Sequence, residues 1–414
     1  MKPESISSLT NAYQNRFKVK PPYFEEIPQA DLSLIITIPS YKEPNITDTL
    51  ESLSQCHQPK GTVELIIGIN APENTDPTIT KVNHQTIQQI EKWQRLAPKY
   101  FKVMVVREES IPTKLAGAGF ARKLIMDEAL HRWAALNKDG PIVCLDADCK
   151  VSPNYLLELE GAFTDLNINL GHLHFEHPYQ DELDPTLRAG IINYELHLRC
   201  YIHGLKSAGY PYAIHTVGSC MAVRASTYAK GGGMNSRKAG EDFHFLHKLV
   251  QHGGWKYLNK ATVFPSSRVS DRVPFGTGKA QIDYQNTLTR STYNPEIYST
   301  LAQLFKALDN LFFHEIDLNN FPVPVHDFLT REGAEYKIQK MKMLSNSKEM
   351  FAKRWWQWMD GLKVLKLVHY LRDHGFPNVP VVNAAQTLQP QGELQRTAGP
   401  ADLLKQFRRM DKSE

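Results

Sequence analysis

Two pairs of carboxylates stand out by type and spacing: Asp146-Ala147-Asp148 and Glu241-Asp242. Two acids one residue apart cannot be hidden in a core without a partner, because desolvating them costs several kcal/mol. A divalent cation is one such partner. Mg²⁺ and Mn²⁺ take hard oxygen ligands and are often held by one or two carboxylates plus substrate phosphates. Asp148 and Asp146 are therefore candidate metal ligands; a strand that merely ends in an acidic turn is the plainer reading. Basic stretches offer the complementary charge. Lys114 and Arg122 flank a Gly-containing loop and the start of a helix, where cations and backbone N–H groups meet phosphate oxygens. Arg268 and Arg272, with Lys279, are interleaved with glycines and a proline over residues 266–279. That is the make-up of a mobile loop closing over a pyrophosphate and excluding water.

These residues need a frame. The apolar run Leu32–Ile38 reads as a strand buried on both faces, as do Val63–Ile69, Lys102–Val106 and Ile142–Leu145. Helices are expected between them: one capped by Asn45, one around residues 85–96, and one whose Met126, Ala129, Leu130, Trp133 and Ala134 share a face. Strands alternating with helices at this spacing imply an α/β fold with a largely parallel sheet. Ligands on such sheets bind at the carboxyl ends of the strands. The loops after Ile38, Ile69, Val106 and Leu145 should therefore meet around one crevice. Beyond it, helices are expected over 153–163 and 190–205, strands over 173–176 and 213–224, and a short helix opening at Glu241. From about residue 295 the chain reads as helical and aromatic. Its cluster Trp355, Trp356 and Trp358 favours packing over contact with a membrane surface.

Composition narrows the class. The 414 residues are 42% hydrophobic and 22% charged, an ordinary globular make-up, and a net charge of +4 argues against a polyanion-binding protein. Five cysteines without C-x-x-C spacing argue against a disulfide framework or a structural zinc site and fit a reducing, cytoplasmic setting. The N-terminal stretch has no apolar core of a secretory signal, and no run is long enough to span a bilayer.

Ile38-Pro39-Ser40-Tyr41-Lys42-Glu43, the Asp146–Asp148 motif, Gly218-Ser219-Cys220-Met221-Ala222-Val223-Arg224 with Gly232-Gly233-Met234, and Glu241-Asp242 occur in this order. Together they resemble the signature segments of family 2 glycosyltransferases over roughly residues 32–290. The resemblance implies a GT-A (Rossmann-like) α/β fold: a nucleotide-sugar-binding mixed sheet flanked by helices. It implies inverting transfer from a nucleoside-diphosphate sugar, UDP-sugar favoured, to a hydroxyl acceptor (a glycan, a lipid-linked acceptor or a small molecule), with Mn²⁺ or Mg²⁺ as cofactor. By it, Asp242 is the general base, supported by Glu241. Pro39, Tyr41 and Glu43 line the base and ribose, and Gly218 and Ser219 lie on the acceptor side. Asp146 faces the donor ribose or sugar. Asn70 stands where the family usually has an aspartate reading the base edge, which leaves the base open. The Q-x-x-R-W motif and transmembrane helices of the processive members are missing, so one sugar per encounter is expected, in the cytoplasm or at the inner face of the membrane. A non-catalytic nucleotide-sugar-binding protein and a nucleotidyltransferase are the rival readings.

The expected organisation is a lead-in over 1–31, a nucleotide-sugar half over 32–150, an acceptor and base half over 151–290, a helical extension over 291–380 and a polar, disordered tail over 381–414.

Overall fold

A computed structural model describes residues 4–270, 272, 275–315, 317–389 and 398–413. Eight strands form one sheet: β1 (Leu32–Ser40), β2 (Thr62–Pro72), β3 (Phe101–Ile111), β4 (Pro141–Cys144), β5 (Lys150–Val151), β6 (Leu170–Phe175), β7 (Met221–Arg224) and β8 (Trp255–Phe264). Their order is β3-β2-β1-β4-β7-β6-β8-β5. The first four run parallel, β7 is antiparallel to both β4 and β6, and β8 is parallel to β6. This is an α/β fold built on a mixed sheet flanked by helices, the class expected from the sequence.

The central strands are those whose residues tolerate no water. Ile35, Ile36 and Ile38 of β1 and Ile142 and Val143 of β4 are fully buried. β1 sits between β2 and β4, so its Ile36 faces Leu65 on one side and Val143 on the other. Such a strand is apolar on both faces because helices cover both. The helices around it are α1 (Ile6–Phe17), α2 (Thr47–Ser54), α3 (Pro77–Gln94), α4 (Ala118–Ala135) and α5 (Tyr155–Ala162). α3 starts where the sequence can start a helix: the Asp76 side chain accepts from the Thr78 backbone N–H at 2.8 Å and Pro77 takes the first position. α4 brings Trp133 into the core at 1% exposure, each such burial stabilising by about 2–3 kcal/mol. α6 (Pro185–Ser207), α7 (Ala225–Lys230) and α8 (Glu241–Leu249) follow.

The chain divides into two compact units. The first holds the chain up to Asp181, Thr216–Lys279 and the residues from Met410 on, and contains the whole eight-stranded sheet. The second comprises Glu182–His215 and Ala280–Arg409 and is helical, with its own core of residues such as Ile297, Leu301, Phe351, Trp355 and Val368. Trp355 is fully buried there, and Trp356 and Trp358 are partly buried against the same core. Within this unit the buried Glu195 accepts from Arg199 at 2.7 Å and from Arg408 at 2.7 Å. No helix among the described residues is long and apolar enough to cross a membrane. All five cysteines are free and buried.

Four local expectations need correction. The lead-in contains α1, capped by Ser5, whose side chain accepts from the Ser8 N–H at 3.2 Å; its apolar face is only Ile6, Tyr13 and their neighbours, too sparse to read as periodic. Asn45 does not cap α2, whose N-cap is Ile46 with no side-chain bond. Residues 213–224 are not one strand: Gly218–Cys220 form a 3₁₀ turn and only Met221–Arg224 pair. Beyond Pro380, where a disordered tail was expected, Val381–Leu388 and Pro400–Ser413 are helices, and Leu403, Leu404 and Phe407 of the latter are fully buried. Those three apolar residues give a highly charged stretch a core-facing stripe. The sequence does not announce β8, because lysines and an asparagine interrupt its apolar alternation.

Candidate active site

The Asp146–Asp148 turn leaves the carboxyl end of β4 beside that of β1. The Leu145 N–H still donates to the Thr37 carbonyl at 3.1 Å, and the Cys149 N–H closes the turn on the Asp146 carbonyl at 3.1 Å. Thr49 of α2 donates its hydroxyl to the Ala147 carbonyl at 2.9 Å. Three backbone tethers thus fix where the two carboxylates point.

Each carboxylate meets arginine. Asp148 accepts from Arg268 at 2.9 Å and from Arg272 at 3.1 Å. The same two arginines reach Glu43, which is 1% exposed: Arg268 binds it as a fork, through Nη1 at 3.0 Å and through Nη2, and Arg272 Nη1 lies at 3.2 Å. Arg272 also donates to the Tyr41 carbonyl at 3.1 Å. Burial and the neighbouring Asp146 push the Asp148 carboxyl above its ordinary pKa, against the pull of the two arginines. Asp146 accepts from Arg122 at 2.6 Å.

Glu241 and Asp242 open α8 after Gly240, which holds φ at +71°. Acids in a first helical turn favour the dipole. Glu241 is buried and accepts from Arg122 Nε at 3.0 Å. Asp242 is half-buried, and its Oδ1 accepts from the Phe243 N–H at 2.7 Å. Burial first, then the charge of Glu241, push its carboxyl up to about 7, although Arg122 pulls the other way. A carboxylate poised near neutral pH is what a general base needs.

The remaining sequence candidates fall around this core. Pro39 lies in β1 and Tyr41 just after it, both partly exposed. Asn70, 7% exposed near the end of β2, has a side-chain oxygen that is buried with no hydrogen-bond partner among the described residues. Gly218 and Ser219 are buried in the 3₁₀ turn. A Cβ on Gly218 would sit 2.6 Å from Arg122 Nη2 and 3.3 Å from Asp242 Oδ2, so both side chains lie close to this glycine. Lys114 is exposed on the loop before α4 and stands apart from the network. Arg122, expected to face phosphate, is instead 6% exposed beneath the carboxylates.

Cys149 was missed. Ligand atoms of Asp146, Asp148 and Cys149 lie within 4.8 Å of one another. The signal was its place directly after the second aspartate, but a thiol is a poor ligand for Mg²⁺ or Mn²⁺. Burial, then Asp146 and Asp148, push this thiol well above its ordinary pKa, so it stays protonated. The oxygen donors that fit a hard cation are Asp146 and Asp148, leaving the remaining positions to water and phosphate.

No family model and no curated protein matches the sequence. Among solved structures, S. aureus TarS residues 1–349 in complex with UDP-GlcNAc is 14% identical, with a TM-score of 0.42, covering 78% of this chain and 89% of that one. The mannosyltransferase PcManGT from Pyrobaculum calidifontis, in complex with GDP-Man and Mn²⁺, is 12% identical with a TM-score of 0.35, covering 86% and 99%. At such identities and scores the likeness assigns no substrate.

Proposed function

We propose that the chain is an inverting, metal-dependent glycosyltransferase of the family 2 type, moving one sugar per encounter from a nucleoside-diphosphate sugar, a UDP-sugar by preference, to a hydroxyl acceptor. Residues 32–150 would supply the donor half and 151–290 the acceptor half. The observation that carries the reading is that the two acid pairs of one site sit in different surroundings. Asp148 is bracketed by arginines suited to phosphate, while Asp242 is raised toward neutrality at a helix start.

In this reading Asn70 offers its unpartnered oxygen to a base N–H, and Pro39 and Tyr41 flank base and ribose. Arg268, Arg272 and Lys114 neutralise the pyrophosphate, the arginines by forked hydrogen bonds. Asp146 and Asp148 would hold a Mn²⁺ or Mg²⁺ ion, which when bound supplies Lewis-acid stabilisation of phosphate charge. The acceptor hydroxyl lies against Gly218 and Ser219. Asp242 takes its proton as the new C–O bond forms, and the bond from the anomeric carbon to phosphate breaks on the opposite face. The nucleoside diphosphate leaves with that electron pair, and the anomeric centre inverts.

A thermal-shift screen of sugar nucleotides with Mn²⁺ tests the donor, since binding stabilises the native state by RT ln(1 + [L]/Kd). Release of nucleoside diphosphate into solution with an acceptor tests the reaction. Donor binding without transfer or hydrolysis would make this a binding protein, and pyrophosphate as product would make it a nucleotidyltransferase.

A further inference from the structure

The contacts of Arg122 point away from the phosphate role that its place near a helix start suggests. Its guanidinium is 6% exposed, with Nη2 on Asp146 at 2.6 Å and Nε on Glu241 at 3.0 Å, while Nη1 is buried with no hydrogen-bond partner among the described residues. Asp146 belongs to the turn after β4, and Glu241 to the start of α8. One planar side chain therefore ties the donor-side turn to the helix that carries the base. The surroundings are cut to fit it. Gly218 leaves room for Nη2 beside Asp242. At the start of α4 the backbone is pressed to the segment preceding α8: the Gly119 N–H donates to the Arg237 carbonyl at 3.1 Å, and a Cβ on Gly117 would lie 2.5 Å from the Lys238 Cα. Asn235 of that segment donates to the Glu241 carbonyl at 2.9 Å. Both contacts are ion pairs, one to each element.

We infer that Arg122 is a positioning residue, which sets the placement of Asp242 relative to Asp146 and Asp148 and does not bind the donor. The inference rests on the glycosyltransferase reading for its kinetic form. It separates from a phosphate-binding role by which constant moves. A lysine keeps the charge but offers one nitrogen in place of the two that Arg122 holds apart in a plane. Misplacing a reacting group by about 1 Å costs roughly 10²-fold. Arg122→Lys is therefore expected to lower kcat by about 10–100-fold with donor KM within about twofold of wild type. Gly218→Ala keeps every charge and puts a methyl group against Nη2, and is expected to give the same split, more weakly. A donor KM raised by tenfold or more at near-normal kcat would make Arg122 a phosphate ligand and overturn the proposal; so would two variants with unchanged kinetics.

Hydrogen exchange of the same proteins needs no turnover. Arg122→Lys is expected to speed exchange both in the 145–149 turn and in the first turn of α8, and an effect confined to one of them overturns the tether. A wild-type chain inactive with every sugar nucleotide would sink the proposed reaction, and the exchange result would still decide the tether.

Discussion

Two arginine clusters neutralise the acids of this site, and they are built differently. Arg122 sits on a helix at 7% side-chain exposure, each contact made by a separate nitrogen to a separate element. Arg268 and Arg272 lie beyond β8 at 34% and 24% exposure and share the same two acids, Glu43 and Asp148. A buried guanidinium between carboxylates cannot leave without abandoning desolvated charge. A partly exposed pair can exchange one partner for another at small cost, because water and phosphate offer equivalent oxygens. The contrast separates a fixed part of the site from a part that can turn to a ligand. Glu43 holds both arginines through contacts separate from those to Asp148.

The largest effect expected concerns the fixed side. Asp242→Asn should lower turnover by about 10²–10⁴-fold while the thermal shift on donor binding persists, measured as nucleoside-diphosphate release. Loss of donor binding in the same variant would place Asp242 on the donor side. Next comes the exchangeable side. Replacing both Arg268 and Arg272 by Ala should weaken donor binding by roughly tenfold or more, since each charge-assisted bond is worth about 1.5–3 kcal/mol. It should also destabilise the fold by about 1–3 kcal/mol, because Glu43 is left buried and unpaired. Adding Glu43→Gln should recover much of that stability without restoring donor affinity. Recovery of both would make the two clusters alike. Chelating the metal should abolish transfer and Mn²⁺ should restore it, with Asp148→Asn needing more Mn²⁺ than wild type.

A smaller effect reads the pH. The native Asp242 carboxyl keeps its proton up to about 7, whereas the unfolded one loses it near 3.8. Between those values the folded state binds the extra proton, so this group's contribution to stability is full below the window and is lost as pH rises through it. Turnover is expected to run the other way, falling as pH drops below about 7. Asp242→Asn should flatten this part of the stability profile, seen as a gain in Tm over wild type that is larger at pH 8 than at pH 4. An equal offset at both would leave Asp242 an ordinary carboxylate. Smallest of all, Lys114→Ala should cost less than about 1 kcal/mol in donor binding, an effect that vanishes with added salt.

The parallel half of the sheet was legible because both its faces are covered. Leu34, Ile35 and Ile36 leave no doubt of a buried strand, and the acids after β4 fall at its carboxyl end. β8 hid behind Lys256, Asn259 and Lys260, since a strand near the sheet's edge needs apolar residues at only some positions. In the site, residue types were legible and pairings were not. Arg122 and Lys114 read alike as cations near a helix start; only the approach of α8 buries one and leaves the other in water. The grip of Arg268 and Arg272 on Glu43 spans more than two hundred residues of chain, and no local pattern announces it.

α1 carries a consequence for how the chain is made. Tyr13 donates to Asp127 at 2.7 Å, Tyr228 donates to the same oxygen at 2.7 Å, and the Tyr13 ring fills the space that a side chain on Gly233 would need. At the other extreme, Lys412 pairs with Glu176 at 2.6 Å and its carbonyl accepts from Asn259. Tyr13 leaves the ribosome long before Tyr228 and Gly233 exist, and Glu176 long before Lys412 does. Through much of synthesis the sheet-bearing unit can dock α1 on α4 but must wait for Tyr228 and Gly233 to cover it, and for the lysine that pairs with Glu176. Its final closure is a late event in the life of each new molecule, and a nascent chain is open to chaperones and proteases until then.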